Sequence, residues 1–417
     1  MKNVPLAIVF LAALLVAGGA KAEDKPTPEN KPIGPEVISI DWLQTGVNYG
    51  MGFMPKVAAD GCCFADDLGV AETGTGFSAL EGWKGIPGVE GDTLVPIVWC
   101  GTDVTSQIGH APSAALFAWS DAADDGSYGP WQDDLAIEVY QGSQSNGTAL
   151  WYRLGSFEGN SDLCGMSWAA TPQQYDQGYN PSIAVDHNGP NSGLIAYFNG
   201  LNTKGTVVEV HQAGDDVVSP LWYHVGTLSG VPDVHNGYGI PSLTLGPATE
   251  INFGLNQGNH PTVSIADNLA ILVAEGPSGA LWYSIGVVNP ATSTIAWSAP
   301  EVYDSGYAPS ISVYGSGVRG SGWTVVEVHQ QDHGTGPLLY RTGILSDTLS
   351  GAPPASITWT ANSNVSYSIG CYPSVALSDY LTFTPYAGLQ LWMSEVHGSE
   401  CGAASALYFS SGVLLFQ

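Results

Sequence analysis

The sequence predicts an all-β protein: a six-bladed β-propeller with four antiparallel strands per blade, its N-terminal strand closing the last blade. Three observations carry this. The 417 residues include 53 Gly and 27 Pro, which are poor in helix interiors, alongside 13 Trp and 19 Tyr, which exclude a disordered chain. A G-x-x-P turn followed by a strand-like run recurs six times. The last copy stops one run short, and an unassigned run of the missing kind precedes the first copy.

The copies are anchored by Gly52 with Pro55, Gly109 with Pro112, Gly178 with Pro181, Gly258 with Pro261, Gly306 with Pro309, and Gly370 with Pro373. Each proline opens a first run, from PKVAA in the first copy to PSVAL in the last. The second run is clearest as VEVHQ from Val208 and Val326 and SEVHG from Ser394. The third resembles LWY and starts at Leu150, Leu221, Leu281, Leu338 and Leu407. The fourth is I-x-W or a relative, ending at Trp99, Trp168, Trp297 and Trp359, with Ile251-Asn252-Phe253 read into the same place in the third copy. β-Branched and aromatic runs bounded by Gly, Asn, Asp and Ser are strands and turns. Four of them per repeat mark a propeller blade. The sixth copy ends after its third run at Gln417, leaving Ile40-Asp41-Trp42 to supply its fourth. Closure of that kind removes open sheet edges. A seventh lookalike at Pro241 (PSLTL) lacks the rest of the unit and reads as an insertion.

Ten Lys plus Arg face 38 Asp plus Glu, a net charge of −28. Such a chain repels phosphate backbones and anionic lipid, so nucleic-acid partners are excluded as a class. Met1–Asn3, the apolar Val4–Ala17 and Ala20-Lys21-Ala22 have the form of an export signal. Residues 1–22 therefore read as a signal peptide, 23–37 as a flexible Pro-rich leader and 38–417 as the propeller, giving a secreted or periplasmic protein without membrane insertion. Six cysteines in an exported chain imply disulfides. Cys371 precedes the first strand of the last blade and Cys401 follows its second, so these two are expected to pair. Cys62 or Cys63 with Cys164, or a vicinal Cys62–Cys63 bridge, are the readings for the others, and Cys100 has no assigned partner.

Alternating strand directions place the G-x-x-P turn, the end of the second strand and the start of the third on one face of the ring. That face collects the candidate ligand-binding residues: Tyr175, Tyr179, Glu209, His211, Trp222, Trp151, Trp282, Tyr303, Tyr307, Glu327, His329, Tyr367, Glu395 and His397. Aromatic rings offer flat apolar area to the C–H faces of a sugar, and Glu, His and Gln supply hydrogen bonds to its rim. Glu and His at i and i+2 leave the same strand face. The competing reading is that the Glu–His pair pins neighbouring blades together, since a buried charge must be satisfied. The second copy has Glu138 and Tyr140, and Glu72 and Glu275 are read into the histidine position of copies one and four.

On the repeat form of residues 38–417, the chain resembles a secreted bacterial β-propeller and is similar in architecture to propeller lectins. The resemblance implies the fold and suggests glycans or glycoconjugates as partners. No G-x-S-x-G, H-E-x-x-H or other catalytic signature is present, which favours binding over chemistry and assigns no catalytic residue. The alternatives are a hydrolase working at the axial funnel, with Ca²⁺ as its only candidate ion, and a protein-binding scaffold. The acidic loop Ser120–Asp134 lacks the ligand order of a calcium loop and reads as a solvated segment. Sialidases need three converging arginines. Here Arg153 and Arg341 sit in different blades, with Arg319 the only other arginine, and the S-x-D-x-G-x-T-W turn is absent.

Overall fold

Each G-x-x-P turn delivers the chain into the innermost strand of an antiparallel meander. The computed structural model describes residues 37–58, 69–74, 80–90, 93–105, 109–121, 131–142, 148–157, 166–169, 171–186, 204–215, 219–232, 239–252, 258–315, 322–345, 356–361, 364–380, 390–402 and 405–416, all within one unit, Gly34–Gln417. The signal peptide, nearly all of the leader, Cys62, Cys63, Cys164 and most of the acidic loop lie outside these residues, as does the Cys100 side chain. No helix among the described residues is long and apolar enough to cross a membrane.

The first meander is β1 (Val37–Ala58), β2 (Gly69–Gly74), β3 (Leu80–Glu90) and β4 (Thr93–Thr105). The second is β5 (Gly109–Asp121), β6 (Trp131–Gly142) and β7 (Ala149–Phe157), edged by β8 (Met166–Trp168) and β9 (Gln173–Gln177). The third is β10 (Tyr179–Asp186), β11 (Lys204–Gln212), β12 (Leu221–Pro232), β13 (Gly239–Leu245) and β14 (Thr249–Ile251). The fourth is β15 (Asn259–Ala266), β16 (Leu269–Glu275), β17 (Ala280–Asn289), β18 (Thr294–Trp297) and β19 (Glu301–Ser305). The fifth is β20 (Tyr307–Gly315), β21 (Trp323–Gln330), β22 (Gly336–Leu345), β23 (Thr358–Trp359) and the first half of β24 (Val365–Tyr380). The second half of β24, β25 (Gln390–Gly398), β26 (Ser405–Phe416) and the first half of β1 make the sixth. Ile40-Asp41-Trp42 pairs with Leu414, Val413 and Gly412, so the N-terminal run completes the last sheet as expected.

One register recurs through these sheets. A glycine of the third strand faces the last residue of the I-x-W run: Gly85 opposite Trp99, Gly155 opposite Trp168, Gly286 opposite Trp297, Gly343 opposite Trp359 and Gly412 opposite Trp42. In the third meander the residue facing Gly226 is Leu245. The PSLTL run is therefore the outer strand itself and not an insertion, and Ile251-Asn252-Phe253 is not the I-x-W equivalent. Ile251 ends β14, which pairs with the other end of β12. The outer strand is in two pieces, and the aromatic pattern matched the wrong one.

Inner strands are linked by serine. Ser113 Oγ accepts from Ile183 N at 3.2 Å, Ser182 from Val263 N at 3.2 Å, Ser264 from Val313 N at 3.0 Å, Ser310 from Val375 N at 3.2 Å, and Ser374 from Val57 N at 3.2 Å. These bonds satisfy inner-edge amides that would otherwise be unpaired. They run from meander two through six to meander one, where Lys56 stands at the serine position. The apolar core lies in the seams between consecutive sheets, as with Ile137, Val139, Ile183 and Val207 between two and three. Antiparallel meanders packed face to face, joined along their inner strands, form a β-propeller-like fold. The Cys371–Cys401 disulfide is present, with Cα atoms 5.2 Å apart.

Replacing Ser310 by Ala leaves the buried Val375 amide without its acceptor. Urea unfolding should show a loss of about 1–3 kcal/mol; an unchanged midpoint would mean that the serine ladder contributes nothing.

Candidate functional site

Four of the D-to-A connections contain a β-bulge whose expelled residue is a tyrosine. Pairing between β9 and β7 skips Tyr175, that between β19 and β17 skips Tyr303, that between β24 and β22 skips Tyr367, and that between β1 and β26 skips Tyr49. A bulge re-aims a side chain out of its own sheet. Tyr175 Oη donates to Glu209 Oε1 of the next meander at 3.0 Å, Tyr303 to Glu327 at 2.9 Å, and Tyr367 to Glu395 at 2.9 Å. All three carboxylates have 0% exposure. Each also receives the Nδ1 of its own histidine: His211 at 3.1 Å, His329 at 3.0 Å and His397 at 3.0 Å. Burial, then the adjacent carboxylate, pushes the three phenols well above their ordinary range, so they stay protonated donors.

The residue after each tyrosine addresses the same histidine from its other side. Asp304 Oδ2 lies 3.5 Å from His329 Nε2, Asp176 Oδ2 lies 3.8 Å from His211 Nε2, and Ser368 Oγ hydrogen-bonds His397 Nε2 at 3.1 Å. Opposite the glutamate, the third strand carries Arg153, His224, Arg341 or Ser410, according to the meander, and Ser284 holds the same place opposite Leu272 in the fourth. Arg341 Nε donates to Asp304 at 2.8 Å, Arg153 pairs with Glu138, and His224 Nε2 lies 2.8 Å from Asp176. Arg153 is thus engaged within the second meander and Arg341 across the seam between the fourth and fifth. The glycine of the turn is needed here: a Cβ on Gly178 or Gly306 would come within 2.5 or 2.6 Å of the His211 or His329 ring.

The same register corrects two positions. Glu275 faces Leu281 and Asn259, which is the place of Gln212, while Ala274 holds the histidine position and Leu272 the glutamate position. Glu72 aligns with Val210, between the two. Neither stands in the histidine slot.

A bulge in each first strand gives the residue before each proline a left-handed backbone: Met54 at φ 52°, Ala111 at 48°, Asn180 at 47°, His260 at 46°, Ala308 at 45° and Tyr372 at 52°. None is glycine, and each such residue is held against a steric cost of order 1 kcal/mol. Gln212 Oε1 accepts from Asn180 Nδ2 and from the His260 amide of the next meander, and Gln330 Oε1 from the Tyr372 amide. Side chains of separate meanders then meet. Tyr372 of the sixth lies 5.3 Å from Phe53 and 6.1 Å from His260 of the fourth, centroid to centroid. His260 Nδ1 is 3.5 Å from Glu275 Oε2. Burial, then the Glu275 charge, raises the Tyr372 phenol. Burial lowers Lys56 to about 8. Unlike the seam network, this set is not repeated.

The seam between meanders three and four differs from its sisters. Elsewhere Tyr303 stacks on Trp359 at 5.3 Å and Tyr367 on Trp42 at 5.1 Å. β14 pairs without a bulge and presents no tyrosine, and the Glu–His pair is Leu272 and Ala274. A cavity of about 510 Å³ lies there, lined by Tyr223, Trp297, Thr249, Glu250, Asn252, Ser298 and their neighbours. Sequence reasoning missed it, because it is marked by the loss of the repeated set.

Of the sequence-predicted residues, Tyr175, Tyr303, Tyr367 and the three Glu–His pairs come together in the seams, mutually hydrogen-bonded. Tyr179 and Tyr307 are half-buried beside the turns, with Tyr307 packed on His333 at 4.4 Å. Trp151 and Trp222 are half-buried, and Trp282 is buried.

No protein-family model and no curated protein matches the sequence. Among solved structures, the chain is similar to a neuraminidase-like protein from A/bat/Guatemala/164/2009, at 9% identity over 90% of this chain and 94% of that one, with a TM-score of 0.39. It is also similar to the Trypanosoma rangeli sialidase in complex with the inhibitor DANA, at 9% identity over 91% of this chain and 59% of that one, with a TM-score of 0.39.

The buried histidines make stability pH-dependent. Burial pulls His329 down, but the charge and hydrogen bond of Glu327 and the charge of Asp304 outweigh it, and its pKa ends above the ordinary 6.5. A raised folded-state pKa favours the protonated form in the fold. Its contribution is complete below pH 6.5 and is lost as pH rises through the folded value. The melting temperature should therefore decline through that window, and His329→Gln should flatten the decline. Parallel profiles would contradict the assignment.

Proposed function

We propose that the six meanders close into a six-bladed propeller and that the protein is a secreted glycan-binding module. The observation that carries this reading is the cavity between meanders three and four. Its volume, about 510 Å³, suits a small ligand. Trp297 and Tyr223 offer aromatic faces, and Thr249, Glu250, Asn252 and Ser298 offer hydrogen-bonding groups, the pairing a sugar requires. Trp222, whose Cα faces Glu250, belongs to the same edge. The repeated Tyr, Glu and His residues support the pocket by fixing the seams around it. Tyr179, Tyr307, Trp151 and Trp282 remain further sugar-contact positions of the reading.

The unrepeated Glu275, His260 and Tyr372 support a second reading, a hydrolase at the centre, since an acid–base catalyst needs one site and not several.

A broad glycan array on the purified chain tests both. Under the first reading a defined glycan binds, and Glu250→Ala with Asn252→Ala weakens binding at least about tenfold, or 1.4 kcal/mol. Tyr372→Ala leaves it unchanged. Hydrolysis of an arrayed glycan that is lost in Glu275→Gln would instead support the second reading. Neither binding nor turnover would overturn both.

A further inference from the structure

We propose that Asp176, His211 and His224 bind a divalent transition-metal ion, with Zn²⁺ the best match, across the seam between meanders two and three. His211 comes from β11, His224 from the facing strand β12, and Asp176 from β9 of the preceding sheet. Their ligand atoms all lie within 4.8 Å of one another. A tetrahedral ion with bonds of about 2.0–2.1 Å places its ligands about 3.3 Å apart. The distances from Asp176 Oδ2, 2.8 Å to His224 Nε2 and 3.8 Å to His211 Nε2, bracket that value.

The hydrogen bonds behind the histidines argue the same way. His224 Nδ1 lies 2.8 Å from the Gly246 carbonyl, which can only accept, so that nitrogen carries the proton. His211 Nδ1 faces the Glu209 carboxylate at 3.1 Å and carries its proton for the same reason. Each ring is thus turned with its Nε2 toward one carboxylate, and Nε2 is the atom that, when deprotonated, it would offer to a metal. A metal-ligating histidine is held in this way, its other N–H donated to a carboxylate or backbone carbonyl. Two imidazoles and one carboxylate suit zinc and its neighbours better than calcium. The Asp176 side chain is 27% exposed, which leaves room for a water at the fourth position.

A sister seam indicates what the place requires. Between meanders four and five the equivalent residues are Asp304, His329 and Arg341, and the guanidinium reaches Asp304 through Nε at 2.8 Å and Nη2 at 2.5 Å. A built-in cation sits beside the aspartate there. Between meanders two and three the shorter His224 takes that position, and a bound metal supplies the charge.

Calorimetric titration of Zn²⁺ into the untagged, chelator-stripped chain tests this, together with Co²⁺ absorption as a report of nitrogen and oxygen ligation. One equivalent should bind and raise the melting temperature. His224→Arg copies the sister seam, so it should remain folded while losing roughly a hundredfold or more in zinc affinity, beyond the loss typical of an outer-shell change. Asp176→Asn should lose affinity similarly and serves if the arginine variant does not fold. No zinc binding by the wild-type chain, or binding equally tight in the variants, would overturn the proposal.

Discussion

Glu209, Glu327 and Glu395 have no contact with water, and an ionised carboxylate in that position is tolerable only when its lone pairs are taken. Much of the local architecture answers that constraint. The histidine two residues on supplies one hydrogen bond from the same strand face. The second comes from the preceding sheet, through a tyrosine that its own backbone pairing has expelled. One short strand thus belongs to one sheet by its main chain and to the next by its side chain. Sheets that share residues in this way cannot slide, and the apolar contacts of each seam keep their register.

The frame and its contents vary separately. The Gly–Trp pairing and the serine ladder fix backbone positions from sheet to sheet, while the residues facing the glutamate change from arginine to histidine to serine. A seam that keeps the full set is cross-linked by it through tyrosine, glutamate and histidine. The seam between meanders three and four, where tyrosine, glutamate and histidine are all replaced, contains a cavity. Function in such a molecule follows from departures from the repeat as much as from the repeat itself.

The meander order was legible because the G-x-x-P turns and the third and fourth strands recur in nearly unaltered form, and the closing role of Ile40-Asp41-Trp42 followed from counting runs. Leu243-Thr244-Leu245 escaped recognition because leucine fills the tryptophan position while an aromatic occurs a few residues later in Phe253. The misplacement of Glu275 has a different origin: in Leu272-Val273-Ala274-Glu275 the carboxylate falls one residue beyond the histidine position, and matching polar residues between copies gives the wrong phase. The left-handed residues before proline were invisible, since Met, Ala and Tyr do not advertise positive φ. Asp176 was missed because its partners lie in the next sheet. The Glu–His pairs were seen, and the alternative weighed beside ligand binding, a pin between neighbouring sheets, describes the geometry in which they lie.

The claim on which these points converge is that the bulged tyrosine and the buried glutamate act as one unit across a seam. A double-mutant cycle with Tyr303→Phe and Glu327→Gln, read by urea unfolding, measures this directly. The account predicts a coupling energy of about 1–3 kcal/mol between the two changes. Additivity within about 0.3–0.5 kcal/mol would contradict it, and the seams would then be held by apolar packing alone.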